Sequence, residues 1–280
     1  MRDLTGSEIK EKELSLLRFF RRVCEEHGLR FYLSGGTLLG AVRHQGFIPW
    51  DDDIDVCMPR PDYDRLRTLC RAESPFPPHV RMVCFEDGTF DMPFMKLCDQ
   101  RIYVSTDEYQ DTAFPYLWID IQPYDGLPDN EEETRAIYNR IAGIRRVMMA
   151  GVSKDGHGTT AFKRFLKPLI FRPYLRAVGV EHLSEKIFRI ASAIPYDTAS
   201  YCGAVAWGLY GPGERLKKAE FEIPAKVMFE GESYPTFSCW DVYLRGLYGD
   251  AYMQLPPPEK RKCHEMHAVW TDSGQTGVKS

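Results

Sequence analysis

The segment at residues 33–55 constrains the fold of this chain more than any other part of its 280 residues. An apolar stretch at 30–34 predicts a short strand, which runs into the pair Gly35-Gly36. Residues with helical spacing follow from about Thr37, and after a turn an acidic run at 53–58 predicts a second strand. The segment therefore predicts a strand, a glycine turn, a helix and an acidic strand in close succession.

The acidic strand carries aspartates at alternate positions. Side chains on a strand alternate between its two faces, so Asp53 and Asp55 are expected on one side while Ile54 faces the core. Asp51 joins them if the strand begins early. Carboxylates held this closely repel each other unless a cation lies between them, and oxygen ligands favour Mg²⁺ or Mn²⁺. We therefore expect Mg²⁺ (or Mn²⁺) at Asp51, Asp53 and Asp55, with Asp53 and Asp55 also catalytic.

The glycine pair complements the acidic strand. Glycine lets the backbone approach a phosphate closely, and free amides at the start of the following helix attract anions. Gly35, Gly36 and Thr37 are therefore expected to bind substrate phosphates. A Gly-Gly at a strand-to-helix junction, followed by an acidic strand, is the pattern of nucleotidyltransferases.

The acidic run has two simpler interpretations, a solvated loop and the start of a calcium-binding EF-hand. An EF-hand loop that began at Asp51 would need glycine at its sixth position and glutamate at its twelfth. The chain has Val56 and Asp62 at these positions, so an EF-hand is excluded. A solvated loop stays open as an alternative.

A nucleotidyltransferase core usually takes a third carboxylate from a neighbouring strand. Asp120 is the best candidate because it alternates with the apolar residues Ile119 and Ile121. Asp99 and Asp125 are the alternatives. The structural alternative for Asp120 itself is a salt bridge.

The rest of the chain mixes helix and strand signals. Thr5 and Glu8 form a capping-box pattern before a helix predicted at about 7–27. Another helix is predicted at 62–72, a mostly helical region at about 131–193, and strands at 80–85, 94–98, 102–105 and 117–124. We therefore predict an α+β fold with a nucleotidyltransferase-like mixed sheet and flanking helices.

We expect one domain over residues 1–272. Its core is predicted at about 27–128, and a helical and aromatic elaboration at about 129–272. The polar tail at 273–280 is expected to be disordered.

Composition narrows the class of protein. A net charge of −4 and a pI near 6.0 argue against a nucleic-acid partner, which usually requires a basic surface. No stretch approaches the roughly 20 apolar residues of a membrane-spanning helix, and the charged first residues do not resemble a signal peptide. The eight cysteines are scattered without a Cys-x-x-Cys, which is typical of reduced thiols in a cytoplasmic protein.

Residues 36–55 (GTLLGAVRHQGFIPWDDDID) resemble the signature block of the LicD family, to which fukutin and its relatives are similar. Three later segments are similar too: MKL at 95–97, IDIQPYDGLP at 119–128 and YGDAYMQLPP at 248–257. Gln122 departs from the family pattern, which has an aromatic or apolar residue at that position.

The resemblance implies a phosphotransferase that moves a phospho-alcohol from a CDP-linked donor to a sugar hydroxyl and releases CMP. Phosphocholine from CDP-choline is favoured, and ribitol phosphate is the alternative. Acceptors in the family are teichoic-acid precursors or lipopolysaccharide sugars. Mg²⁺ on Asp53 and Asp55 would neutralise the diphosphate, and Asp120 would bind a second ion or take the proton of the attacking hydroxyl. A lipid-linked acceptor would place the enzyme at the inner face of the membrane, as a peripheral contact.

Four further residues are predicted to bind substrate. Arg43 and His44 match the family block, and a guanidinium can hold phosphate oxygens with two hydrogen bonds. Lys96 is a charged residue inside an apolar strand, and Trp50 lies beside the acidic run, where it could stack on a base. Ion pairs for the charged residues and a structural anchor for Trp50 are the alternatives.

Aromatic residues are frequent in the last third of the chain. They could surround a quaternary ammonium group, because aromatic faces attract such cations, although most aromatic side chains belong to a core. The candidates are Tyr201, Trp207, Tyr210, Tyr234, Phe237, Trp240, Tyr243, Tyr248 and Tyr252.

Three other functions compete with phospho-alcohol transfer. An Asp-x-Asp glycosyltransferase would use a nucleotide sugar, and a nucleotidyltransferase proper would release pyrophosphate. A non-catalytic binding protein would show no metal-dependent turnover. The glycine turn and the LicD-like block argue against a glycosyltransferase, and the intact glycine and acidic elements argue against a non-catalytic protein. The identity of the product, CMP or pyrophosphate, distinguishes a nucleotidyltransferase proper.

Overall fold

A mixed β-sheet forms the centre of the computed structural model, which describes residues 1–105, 114–152, 167–261 and 266–271. The strands are β1 Arg2–Asp3, β2 Tyr32–Leu33, β3 Asp55–Pro59, β4 Val80–Val83, β5 Met95–Ser105, β6 Tyr116–Leu127, β7 Tyr201–Gly203, β8 Leu216–Lys217, β9 Pro224–Phe229, β10 Glu232–Phe237 and β11 His267–Trp270. The helices are α1 Gly6–Glu26, α2 Gly35–His44, α3 Arg60–Ala72, α4 Glu131–Val152, α5 Lys167–Val178, α6 Val180–Ala191, α7 Lys218–Phe221 and α8 Trp240–Tyr248. The predicted tail at 273–280 lies outside the described residues.

The order of the strands is β1-β11-β5-β6-β3-β2, with β4 beside β5 and with β7 and β8 continuing from the end of β6. Only β3 and β6 pair in parallel among the described strands of this sheet. Strands β9 and β10 form a separate hairpin. The predicted α+β class with a mixed sheet is confirmed.

Helix α1 follows from its sequence. The Thr5 hydroxyl accepts a hydrogen bond from the Glu8 amide, and the Glu8 carboxylate accepts one from the Thr5 amide, so the predicted capping box is present. The apolar residues recur at helical spacing, and the face that carries Leu17, Phe20 and Val23 is fully buried. The prediction of this helix is confirmed to within one residue at each end.

Two boundaries around the glycine turn differ from the prediction. Helix α2 begins at Gly35 instead of near Thr37, because the Leu38 amide already donates a hydrogen bond to the Ser34 carbonyl at 3.0 Å. Gly35 itself has a φ of +53°, which a residue without a Cβ tolerates. Strand β3 begins at Asp55 instead of Asp53, because its pairing with β6 starts only there. Before that point the Asp51 amide closes a turn onto the Ile48 carbonyl.

The two strands predicted at 94–98 and 102–105 form the single strand β5. Its pairing with β6 shifts register between Asp99 and Tyr103. The interruption that the sequence indicates is therefore an irregularity within one strand.

The last third of the chain packs back onto the first. Rings from both parts meet in the main core: Tyr32 lies 5.0 Å from Phe221 and 5.7 Å from Phe237, measured between ring centroids. Phe237 in turn lies 5.2 Å from Tyr243 on α8. Helices α4 to α6 form a second core with Leu127 at the end of β6. The glycine turn is thus enclosed by residues far away in sequence.

Arg60 at the start of α3 forms a buried ion pair with Asp125 at the end of β6. Its Nε lies 2.6 Å from Oδ1 and its Nη2 lies 3.1 Å from Oδ2 of Asp125. Asp125 is 1% exposed and Arg60 is 8% exposed. Asp125 thus accepts two hydrogen bonds from a buried, oppositely charged group, while the Nη1 of Arg60 lies 3.7 Å from Asp64 and 3.9 Å from Glu86.

Asp125→Ala is expected to lower the free energy of unfolding by about 3–5 kcal/mol, because the Arg60 guanidinium would stay buried without its carboxylate. The measurement is urea denaturation followed by circular dichroism. Asp129→Ala is the matched control: this side chain is exposed, and its loss should change stability by less than about 0.5 kcal/mol. Equal effects of the two substitutions would contradict the structural role of the ion pair.

Candidate active site

Asp55 and Asp120 are in-register neighbours on the parallel strands β3 and β6. Residues paired in this way lie about 4.8 Å apart and direct their side chains to the same face of the sheet. The Asp120 amide donates to the Ile54 carbonyl at 2.9 Å, and the Asp55 amide donates to the Thr37 hydroxyl at 2.8 Å. Both backbones are therefore held in place. Thr37, predicted to bind substrate, is buried and anchors β3 to α2 in this structure.

Gly35 and Gly36 leave room for two carboxylates. A Cβ on Gly35 would lie 2.5 Å from Oδ2 of Asp55, and a Cβ on Gly36 would lie 2.6 Å from Oδ2 of Asp51. No larger residue fits at either position without moving a carboxylate. The first turn of α2 favours the negative charges that it contacts, because the positive end of the helix dipole lies there.

The Gly35 amide was predicted to contact phosphate. In the structure it donates a hydrogen bond to the Tyr243 hydroxyl at 3.0 Å. Tyr243 lies on α8 and is buried, so the last of the described α-helices holds the glycine turn in place. The phosphate contacts of Gly35, Gly36 and Thr37 stay predictions.

Lys96 lies directly opposite Asp120 on the antiparallel strand β5. Its Nζ lies 3.4 Å from Oδ1 of Asp120, and the same ammonium lies 3.7 Å from the centroid of the Trp118 ring. The cross-strand ion pair considered as an alternative is therefore present. The ammonium offsets part of the negative charge that Asp55 and Asp120 bring to this face of the sheet.

Asp99 and Asp125, the other candidates for a third carboxylate, are committed elsewhere. Asp99 accepts hydrogen bonds from the Arg101 amide and guanidinium at 2.7–3.0 Å, and Asp125 binds Arg60. Neither pairs in register with Asp55. The geometry therefore favours Asp120.

Asp53 precedes β3, so strand alternation does not apply to it. Asp53 acts electrostatically on Glu13 on α1, a carboxyl that the sequence analysis did not identify. Burial raises the pKa of Glu13 well above its usual range, and Asp53, Asp52 and Asp51 raise it further. Glu13 is fully buried, and neither of its carboxyl oxygens has a hydrogen-bond partner among the described residues. The sequence does indicate that Glu13 is buried, because it is four residues from both Ile9 and Leu17 on the buried face of α1.

Arg43, His44 and Trp50 form one cluster beside the acidic run, together with Arg261. The Arg43 Nε donates to Nε2 of His44 at 3.0 Å, and the two guanidinium groups lie 6.0 Å (Arg43) and 4.9 Å (Arg261) from the Trp50 ring centroid. Desolvation lowers the pKa of His44, and the charge of Arg43 lowers it further, so the imidazole accepts this bond while neutral. Arg43 has no carboxylate partner among the described residues and donates to the carbonyls of 252 and 254.

A small cavity opens beside Asp55. It is lined by Ser34, Gly35, Asp55, Gln122, Tyr124, Ala204, Trp207, Leu209, Tyr210, Glu214, Tyr243 and Leu247. Of the predicted aromatic candidates, Trp207, Tyr210 and Tyr243 reach this cavity, while Tyr234 and Phe237 belong to the main core. Glu214 was missed because it lies in a loop without sequence periodicity.

The carboxylates around the glycine turn suit a divalent ion that is also bound by substrate phosphates. Among the described residues, no group of three or more His, Cys, Asp or Glu side chains is arranged to hold a metal ion without other ligands. Mg²⁺ is usually held by one or two carboxylates, with water and substrate phosphates completing its octahedron. Asp55 and Asp120, with Asp51 against the same helix start, fit that requirement.

Comparisons with known proteins identify the family to which this chain is similar. A family model described as "LicD/FKTN/FKRP, nucleotidyltransferase domain" matches residues 28–177, more than half of the chain. The chain is 29% identical over 274 residues to the lipopolysaccharide cholinephosphotransferase LicD of Haemophilus influenzae, which covers 96% of this chain and 99% of that protein. It is 42% identical over 57 residues to the ribitol 5-phosphate transferase FKRP of Homo sapiens, covering 20% of this chain and 12% of that protein. The resemblance identified in the sequence and the prediction of a phosphotransferase are confirmed.

Gly36→Ala is expected to weaken Mn²⁺ binding about 10–100-fold, because the new methyl group displaces a carboxylate that supports the site. The displaced atom is the end of the Asp51 side chain, so it can move while the fold is kept. Mn²⁺ affinity would be measured by electron paramagnetic resonance. Gly143→Ala is the matched control, since a Cβ there meets nothing within 4 Å. Unchanged affinity in Gly36→Ala would rule out Asp51 as part of the metal site.

Proposed function

This chain belongs to the LicD family, and we propose that it transfers a phospho-alcohol from a CDP-linked donor to a hydroxyl of a glycan or glycolipid. Phosphocholine from CDP-choline is the favoured substrate, and CMP is the product. The observation that carries the proposal is the in-register pair Asp55 and Asp120 at the glycine turn. Such a pair is suited to a divalent ion that is shared with a diphosphate.

The names of the relatives favour this class of reaction. One is a cholinephosphotransferase that acts on lipopolysaccharide, and the other is a ribitol 5-phosphate transferase. The first aligns over nearly its whole length, so choline is favoured over ribitol. Teichoic-acid precursors and lipopolysaccharide sugars are both suitable acceptors, since each presents a hydroxyl nucleophile.

The reaction forms a bond between the acceptor oxygen and the β-phosphorus of the donor, and breaks the bond from that phosphorus to CMP. Bound Mg²⁺, held by Asp55 with Asp51 and Asp53 nearby, would neutralise the diphosphate charge. Asp120 would either bind a second ion or take the proton of the attacking hydroxyl. CMP leaves with the electron pair of the broken bond.

The remaining predicted residues position these groups. The Lys96 ammonium lies 3.4 Å from Asp120 and offsets part of the negative charge at the reacting centre. Arg43, Arg261 and Trp50 present positive charge and a ring face beside the acidic run, which suits a nucleotide phosphate and its base.

Within the described parts of the chain, none of the helices combines the length and the apolar character needed to cross a bilayer. A lipid-linked acceptor would be reached from the cytoplasmic side through a peripheral contact with the inner face of the membrane. This placement is part of the proposal.

The proposal predicts CMP release from CDP-choline that requires Mg²⁺ and a sugar acceptor. Asp55→Asn and Asp120→Asn should each reduce the rate about 10²–10⁴-fold, because each removes a charge from the reacting centre. CMP would be quantified by liquid chromatography over a panel of glycan acceptors, with and without EDTA. The exposed Asp129→Asn is the matched control and should keep the wild-type rate.

Three outcomes discriminate among the competing functions. Turnover of CDP-ribitol or CDP-glycerol but not CDP-choline would keep the chemistry and discard choline. Pyrophosphate release would indicate nucleotidyl transfer. Turnover of a UDP- or GDP-sugar would indicate a glycosyltransferase and overturn the proposal.

A further inference from the structure

The cavity beside Asp55 contains a buried acidic residue for which phosphotransfer has no evident use. Glu214 is 4% exposed, and its Oε1 accepts a hydrogen bond from the Tyr210 amide at 2.8 Å. No lysine or arginine nitrogen among the described residues lies within salt-bridge distance of its carboxylate. Arg145 acts on Glu214 electrostatically, but its guanidinium donates to the Gly208 carbonyl at 2.6 Å. A cation is therefore missing from the immediate surroundings of Glu214.

Aromatic rings complete the walls of this cavity. Tyr210 is 44% exposed and meets Tyr248 edge-on at 5.3 Å between ring centroids. The Trp207 ring already attracts a cation, since the Arg145 Cζ lies 5.6 Å from its centroid. Gln122 adds an amide oxygen without a hydrogen-bond partner among the described residues. The cavity thus offers a negative charge, ring faces and a free carbonyl dipole, all of which favour a positive guest.

We propose that this cavity binds the cationic head of the donor alcohol, a quaternary ammonium group, and that Glu214 determines the preference for a cationic over a neutral alcohol. The inference rests on the proposed function and adds its substrate specificity. A quaternary ammonium donates no N–H hydrogen bond, so charge and aromatic faces are the means of recognising it. The cavity shares Gly35 and Asp55 with the reacting centre, which suits an alcohol joined to the reacting phosphorus through a short chain.

The substitution Glu214→Gln removes the negative charge of this side chain and keeps its size. Glutamine keeps the shape and can still accept the hydrogen bond from the Tyr210 amide, so the loop should keep its conformation. At about pH 9, where Glu214 is ionised, the dissociation constant of CDP-choline is expected to rise about tenfold, while those of CDP-glycerol and CMP stay unchanged. Isothermal titration calorimetry with Mg²⁺ present measures all three without an acceptor. Glu220→Gln is the matched control, because Glu220 forms only a surface ion pair with Lys217 and lies outside the cavity.

Each result supports or overturns the inference. Equal weakening of CDP-choline and CDP-glycerol, or no weakening of either, would overturn it and leave phospho-alcohol transfer intact. Equal affinity of the wild-type protein for CDP-choline and CDP-glycerol would also overturn the inference and leave phospho-alcohol transfer intact. Normal binding with lost turnover in Glu214→Gln would also overturn it and would indicate an acid–base role. Failure of the wild type to bind any CDP-alcohol or CMP would reject the proposed function and the inference together.

The preference should also depend on pH. Burial raises the pKa of Glu214 to about 8, against the opposing effects of the Tyr210 amide and Arg145. The titratable or charged side chains that face it are Tyr124 on β6, Tyr138 and Arg145 on α4, Tyr210 in its own loop, Tyr243 on α8 and, across the cavity, Asp55 on β3. Burial raises the pKa of each of these tyrosines above its ordinary value, so they stay neutral.

A cation binds the ionised carboxylate, whose population grows as the pH rises through the pKa of Glu214. The affinity for CDP-choline relative to CDP-glycerol is therefore expected to increase between about pH 6 and pH 9 in the wild type. The same ratio should be independent of pH in Glu214→Gln. A ratio that rises equally in both proteins would show that another group is responsible and would overturn this role of Glu214.

Discussion

Two carboxylates side by side on parallel strands are the constraint on which the rest of the site depends. Asp55 and Asp120 are fixed by the β3–β6 register, so their mutual repulsion cannot be relieved by moving apart. The surrounding residues stabilise this arrangement. Lys96 lies opposite Asp120, the first turn of α2 contacts Asp55, and Thr37 holds the Asp55 amide. The repulsion that remains suits the pair to the divalent cation of the proposed function.

The parts of this site that are local in sequence could be predicted from the sequence. Gly35-Gly36 and the aspartates up to Asp55 lie within one short segment, and alternation in a strand was enough to select Asp120 over its neighbours. The errors are local too. Strand alternation does not extend to Asp53, because the pairing with β6 begins only at Asp55, and α2 begins two residues before Thr37. Strand pairing and the hydrogen bond from the Leu38 amide to the Ser34 carbonyl determine these boundaries, and neither is visible in a residue pattern.

Contacts between distant parts of the chain could not be predicted in this way. Tyr243 holds the Gly35 amide from a helix about two hundred residues further on, and Arg261 reaches Trp50 across a similar separation. The position of Glu13 on the buried face of α1 is visible in the sequence as a charged residue among apolar ones. That it lies near Asp51, Asp52 and Asp53 is known only from the fold. Aromatic composition indicated many rings, while the structure brings only a few of them to the cavity beside Asp55. Tertiary packing therefore determines which of these aromatic residues line the cavity, and the sequence does not distinguish them.

In the proposed function, the reacting centre and most of the walls of the cavity for the donor alcohol belong to different parts of the chain. The family model covers 28–177 and includes Asp55, Lys96 and Asp120, whereas Glu214 and the rings around it follow that region. A shared reacting centre with a different cavity wall would let related proteins move different alcohols by the same displacement at phosphorus. The relatives fit this arrangement, because one is named for choline and the other for ribitol. Membership of the family indicates phospho-alcohol transfer as the class of reaction, and under our proposal the residues at 204–214 and on α8 determine which alcohol is moved.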